Sequence, residues 1–268
     1  MGQVRFGRWQ WALCLLALAG ACAHAHPEDE FCLPGVGGVG LDAALCEQLA
    51  TLDSAEDRTA RLTQPILDAS GDARSAASTF LLYVSIGVQH ILPGGLDHIL
   101  FVLALFLTST RLRALLVQIT TFTVAHTATL GLAAAGVISP SASIVEPLIA
   151  ASIAFVALEN LFVSDMPRWR PVIVFAFGLL HGLGFAGFFG ELGLPANQFW
   201  SGLVGFNVGV EVGQLSVVLL AFLLVSAWRR MDRSPQAEMR YRRRVVLPGS
   251  LAIGFIGLWW AIERTFLG

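Results

Sequence analysis

Four histidines and four carboxylates stand inside apolar stretches long enough to cross a lipid bilayer, and nothing else in the chain constrains it as much. They are His90, Asp97 and His98 in GVQHILPGGLDHILFVLALFL, and His126 in ITTFTVAHTATLGL. Glu146 and Glu159 lie in SIVEPLIAASIAFVALEN, His181 in FAFGLLHGLGFAGFF, and Glu211 in GLVGFNVGVEVGQLSVVLL. An ionisable group at the centre of a membrane helix costs roughly 2.5–3.5 kcal/mol on insertion scales, so such residues are rare there and tend to be functional. Histidine with Asp and Glu is also a ligand set that suits divalent transition metals. The chain therefore reads as an all-α membrane protein built around an intramembrane metal or proton site.

Composition agrees with a membrane class. Of 268 residues, 55% are hydrophobic and 13% charged, with a mean hydropathy of +0.68. Soluble domains carry about a quarter charged residues. The net charge of −2 hides a strong segregation of sign, and all 17 basic residues are arginine.

Arg5 and Arg8 precede an apolar run from Trp9 to Ala21, and Ala23-His24-Ala25 supplies small residues for cleavage. A charged start, a short apolar core and an A-x-A site predict a cleaved signal peptide over 1–25. Cleavage after Ala25 leaves His26 first, where its amine and imidazole together suit a metal ion. Residues 26–76 form an acidic segment with ten Asp or Glu against Arg58, Arg61 and Arg74. Cys32 and Cys46 remain there on the exported, oxidising side, where a Cys32–Cys46 disulfide is expected.

Residues 77–268 predict a bundle of six transmembrane helices, near 79–108, 112–136, 142–163, 169–190, 199–228 and 245–265, since about 20 apolar residues cross a bilayer. The arginines test the count through the positive-inside rule. Arg111 and Arg113 follow the first span, Arg168 and Arg170 join the third to the fourth, and seven arginines lie between 229 and 244. The alternate loops, 137–141 and 191–198, contain no basic residue. Both termini are then expected on the periplasmic side of a bacterial inner membrane. The stretch His90-Ile91-Leu92-Pro93-Gly94-Gly95 must interrupt the first helix, because proline removes a hydrogen bond and clashes with the preceding turn. Broken backbone at membrane depth survives where protein buries it or where it lines a polar cavity.

Counting about 1.5 Å per residue places His90, Asp97, His98, His126, His181 and Glu211 near one central layer. Glu146 falls nearer the periplasmic face and Glu159 nearer the cytoplasmic face. Asn207, Glu211 and Gln214 share one helix face, while Ser201, Gly205, Gly209 and Gly213 repeat every four residues beside it. Such small residues let helices approach closely within a membrane. Gly178, Gly182, Gly184 and Gly187 surround His181 in the same way, and Thr120, Thr121, Thr123, Thr127 and Thr129 are candidate outer partners for His126.

These motifs resemble the HupE/UreJ family, and more narrowly its second branch. The resemblance rests on His90-x6-Asp97-His98 within HILPGGLDHILF, Phe122-Thr123-Val124-Ala125-His126, Val145-Glu146 through Glu159-Asn160, and Phe177-Gly178-Leu179-Leu180-His181-Gly182-Leu183-Gly184-Phe185-Ala186. It covers about residues 77–230. The resemblance implies permeation of nickel, and in places cobalt, in bacteria. The better-known branch carries H-P-x-x-G-x-D-H on its first membrane helix; here Pro93 stands three positions after His90 instead of next to it.

The resulting expectation is a passive or proton-coupled permease for a divalent transition metal, with nickel first and cobalt, zinc or iron within the same donor chemistry. The candidate metal residues are His90, Asp97, His98, His126, His181, Glu211, Glu146, Glu159 and His26. An intramembrane zinc-dependent hydrolase and a metal-delivery or metal-sensing membrane protein are the alternatives, so enzymatic activity stays open. The expected partners are the ion and the lipid bilayer, with no nucleic acid, and self-association is left open. No nucleotide-binding motif appears, which argues against ATP hydrolysis by this chain.

Overall fold

A computed structural model describes residues 74–109, 111–163, 167–185, 197–232 and 234–267. The expected signal peptide, His26 and the Cys32–Cys46 pair lie outside these residues. Every regular element among the described residues is helical.

Ser75 caps the first helix, its Oγ accepting the Ser78 N–H at 3.2 Å. Helix α1 (Ala76–Ile91) ends where Pro93 denies the next turn a donor, and α2 (Leu96–Thr108) leaves at a bend of 70°. The linking residues stay bonded to the turn behind them, Gly94 N–H to Gln89 O and Gly95 N–H to Ile91 O, both at 3.3 Å. Next come α3 (Leu112–Ala134), α4 (Ala142–Phe162), α5 (Arg170–Gly184) and α6 (Phe199–Met231). The chain closes with α7 (Ala237–Tyr241), a π-helical turn over Arg242–Val246 and α8 (Leu247–Phe266). Pro248 cannot donate within that last helix, and the turn before it widens so that Leu247 N–H reaches Arg242 O.

The protein is a multi-pass helical membrane protein. Among the described residues, helices α3, α4, α6 and the continuous run Ala237–Phe266 are long and apolar enough to cross, and the bent pair α1–α2 passes the same test only when taken together, as a broken span or a re-entrant loop. The fourth expected span differs: α5 has 15 residues, about 22 Å of helix against a hydrocarbon core of about 30 Å. His181 therefore stands in the last turn of α5 instead of at the middle of a long span.

Close backbone approaches hold the bundle. Helix α1 packs along α6, α3 along α5, and α4 along α8. The glycine stripe of α6 lies against α1, where a Cβ on Gly209 would come 2.9 Å from the Gly87 Cα. One on Gly213 would come 2.7 Å from the Ile91 Cβ. Gly178 brings α5 against Ala125 of α3, and Thr129 donates across that contact to Leu179 O at 2.7 Å. At the Arg170 end, Asn160 ties the helices together. Its Nδ2 donates to Ala104 O at 2.8 Å and to Ser250 Oγ at 3.3 Å, while its Oδ1 accepts from Thr108 and Arg170.

Gly209→Leu is expected to destabilise the protein by about 1–3 kcal/mol, because a side chain has no room between α6 and α1. Val212→Leu, on the half-exposed outer side of the same helix, should leave stability unchanged. Thermal unfolding of both variants in detergent checks the pair; equal melting would refute the close-packed reading.

Candidate functional site

The break in the first span carries the site. It turns His90, in the last turn of α1, onto His98, in the first turn of α2, with ring centres 4.9 Å apart. His98 is the hub, because its ring centre also lies 5.1 Å from that of His181 and 5.8 Å from that of His126. Three of the four histidines thus come from helix ends and only His126 from mid-helix. The Nε2 atom of each of the four is buried without a hydrogen-bond partner. Leaving a buried polar atom unsatisfied costs about 1–3 kcal/mol, so four at one place call for a functional account.

Two rings have a fixed proton. His181 Nδ1 lies 2.8 Å from Phe177 O, which can only accept, so Nδ1 carries the hydrogen and, in the neutral ring, Nε2 the lone pair. Asn207 orients His126. Its Nδ2 is engaged with Leu203 O at 2.8 Å, which turns Oδ1 toward His126 Nδ1 at 3.1 Å. His126 Nε2 therefore also presents a lone pair, the arrangement by which an outer partner fixes a ligating histidine. The threonines of α3 do not supply this partner. Thr123 and Thr127 bond carbonyls of their own helix, and Thr129 reaches α5.

Phenylalanines wall the imidazoles. Phe185 is centred 4.0 Å from His90, Phe122 5.0 Å from His181 and Phe101 5.2 Å from His181, while Phe206 faces both His90 and His126. Sequence reasoning missed these rings and the bond from Asn207 to His126. Their signal was faint: Phe101 follows the Asp97-His98 pair by one turn, and Phe122 precedes His126 by four residues.

The carboxylates fall outside the cage. Asp97 is held by both terminal nitrogens, Nη1 and Nη2, of Arg264, at 3.0 and 3.2 Å. Arg264 closes the last apolar stretch, and its partnership with Asp97 was not foreseen. Glu211 Oε1 accepts from Thr120 Oγ1 at 2.8 Å on the outer side of the α3–α6 seam. Glu146 is exposed near the start of α4, its carbonyl 3.4 Å from Arg264 Nη1. Glu159 pairs with buried Arg170 at 3.3 Å. Asn160, next to Glu159, touches Ala104 and Thr108. These follow His98 by six and ten residues, so Glu159 stands about 9–15 Å from the cage along α2. Among the described residues, no three His, Cys, Asp or Glu groups are arranged to hold one metal ion as they stand.

Fold and site together define a polytopic helical membrane protein with a buried cage of imidazoles at a helix break. The family model described as HupE / UreJ protein matches residues 68–264, more than half the chain, and the protein belongs to that family, which is associated with transition-metal transport. No curated relative and no solved structure is similar enough to match.

Asn207→Leu is expected to free His126 from its Nδ1–H tautomer while His181 keeps its own. Nitrogen NMR of histidine-labelled protein reads both rings, and an unchanged His126 signal would remove Asn207 from this role.

Proposed function

We propose that the chain is a permease for a divalent transition-metal ion, nickel first, with His90, His98, His126 and His181 as its central station. The observation that carries this reading is the set of four buried, unpartnered Nε2 atoms around His98. Two imidazoles on one ion, each nitrogen about 2.1 Å from it, set their ring centres roughly 4.5–5.5 Å apart. The separations of 4.9 and 5.1 Å around His98 fall in that range, so the rings need to turn more than the helices need to move. The C-terminal ends of α1 and α5, which carry His90 and His181, add the negative end of two helix dipoles beside the cage. Cobalt, zinc and iron fit the same donors.

In this reading Glu146 and His26 meet the ion on the periplasmic side, Asp97 completes the central station, and Glu159 and Glu211 are flanking carboxylates. The protein sits in a bacterial inner membrane with its signal removed and both termini periplasmic. The hydrolase alternative needs a carboxylate base beside the ion. Asp97 and Glu159 are each held by an arginine, which weakens it.

The test is purified protein assayed for bound metal by elemental analysis and for nickel, cobalt, zinc and iron uptake after reconstitution in liposomes. His98→Ala and His181→Ala are each expected to lower metal retention at least tenfold, the smallest loss that removing even an outer partner brings, in an order-of-magnitude sense of about one decade. Uptake should fall with it. Unchanged retention and uptake in both variants would overturn the reading.

A further inference from the structure

The Asp97–Arg264 pair is placed where a transported cation must compete with it. Asp97 immediately precedes His98, the hub of the cage, and Arg264 grips both carboxylate oxygens, at 3.0 and 3.2 Å. Such two-pronged arginine–carboxylate pairs are among the strong hydrogen-bonded contacts. The pair is neither sealed nor free: the Asp97 side chain is 24% exposed and that of Arg264 is 21% exposed. Arg264 also has a resting place without Asp97, since its guanidinium carbon sits 5.3 Å from the centre of the Trp260 ring and its Nη1 lies 3.4 Å from Glu146 O.

We propose that Arg264 is a positioning residue that competes with the transported ion for Asp97, holding the carboxylate away from the imidazoles until a divalent cation draws it in. The inference rests on the permease reading. It accounts for the failure of any three ligand groups to converge as they stand: the acid nearest the cage is turned toward a guanidinium. A doubly charged ion attracts the carboxylate about twice as strongly as the arginine at equal separation and dielectric. When the ion leaves, Arg264 recaptures Asp97. Four imidazoles and a permanently committed carboxylate would bind too tightly to release, and conduction requires a site weak enough to leave. Arg264 thus exchanges affinity for turnover.

The experiment is equilibrium binding of nickel to purified protein, with cobalt, zinc and iron binding and liposome uptake of nickel measured alongside, for wild type, Arg264→Gln, Asp97→Asn and the double variant. Arg264→Gln is expected to bind nickel on the order of tenfold more tightly, because a charge-assisted competitor is removed, and to transport it more slowly. The gain should vanish in the Asp97→Asn background, since the coupling of two touching residues appears as non-additivity. Arg264→Lys, which keeps the charge but cannot span both oxygens, should fall between wild type and Arg264→Gln, and it carries the test if Arg264→Gln does not fold. Arg240→Gln, which breaks a similar pair with Asp232 outside the site, serves as the control and should change neither quantity. Folded Arg264→Gln with nickel binding equal to or weaker than wild type would overturn the exchange. So would a gain that persists without Asp97. If wild type and all variants bind no nickel, cobalt, zinc or iron, the permease reading itself fails and the exchange falls with it.

Discussion

Four imidazole nitrogens with no partner, enclosed by phenylalanine rings, set the terms for the rest of this structure. A buried polar atom left unsatisfied is tolerated only where the surrounding fold holds it there. Here that holding is visible in detail. The helix break delivers His90 and His98 to each other, Asn207 and Phe177 O take up one nitrogen of His126 and of His181, and the aromatic walls leave the second nitrogen nowhere else to turn. The glycine contacts serve the same end. Gly87 and Gly209 seat α1 on α6, while Gly178 and Gly182 seat α5 on α3, and these contacts fix the backbones that carry three of the four rings.

The acids nearest the cage are each engaged outside it. Asp97 is answered by Arg264, Glu159 by Arg170, and Glu211 by the hydroxyl of Thr120. A buried ion pair adds little net stability, but losing one partner leaves a charge uncompensated at a cost of about 3–5 kcal/mol. Arg170 is therefore bound to Glu159 and Asn160 as part of the framework, and the flanking acid it holds is not at the disposal of the cage. The Asp97 pair differs in kind because it is partly exposed and adjoins the hub. Neutral imidazoles suit a cation that must be held and then let go, whereas a fixed carboxylate among them would favour holding alone.

Much of this was legible in the sequence, for physical reasons that also mark the limit. Hydropathy and buried polarity both follow from the solvent, so the membrane class, the break after His90 and the small-residue seams could be read from residue types alone. The convergence of the histidines was legible because each interrupts an apolar run. The partners of the acids were not. Depth counted along a straight helix puts Asp97 and His181 at mid-membrane, yet α5 stops at Gly184 and the first span bends by 70°, so both residues belong to helix ends. Arg264 looked like the closing charge of the last span, and only the antiparallel packing of α8 on α4 brings it to the start of α2. Asn207 looked like helix glue because nothing local distinguishes an amide that bonds a backbone from one that orients a ring.

The position of the cage within the bundle bears on how anything could pass it. Beyond His98 along α2, the buried side chains of Phe101, Ala104 and Leu105 meet Ile153, Val156, Val174, Ile256 and Trp260, and this apolar layer closes the way toward the Arg170 end. Close-packed apolar layers do not open by small adjustments, because each methylene exposed or separated loses its contacts outright. Under the proposed permease reading, passage toward that end requires α2 to move as a body. Its attachments suit such a motion: the broken backbone at Pro93-Gly94-Gly95 forms its near end, the Asp97–Arg264 pair fastens its first turn, and the bond from Thr108 to Asn160 fastens its last. Polar bonds of this kind can be exchanged for others of similar strength, whereas the apolar layer offers no substitute contacts. In the proposed exchange, a cation that draws Asp97 from Arg264 acts on the fastening of α2 that adjoins the cage.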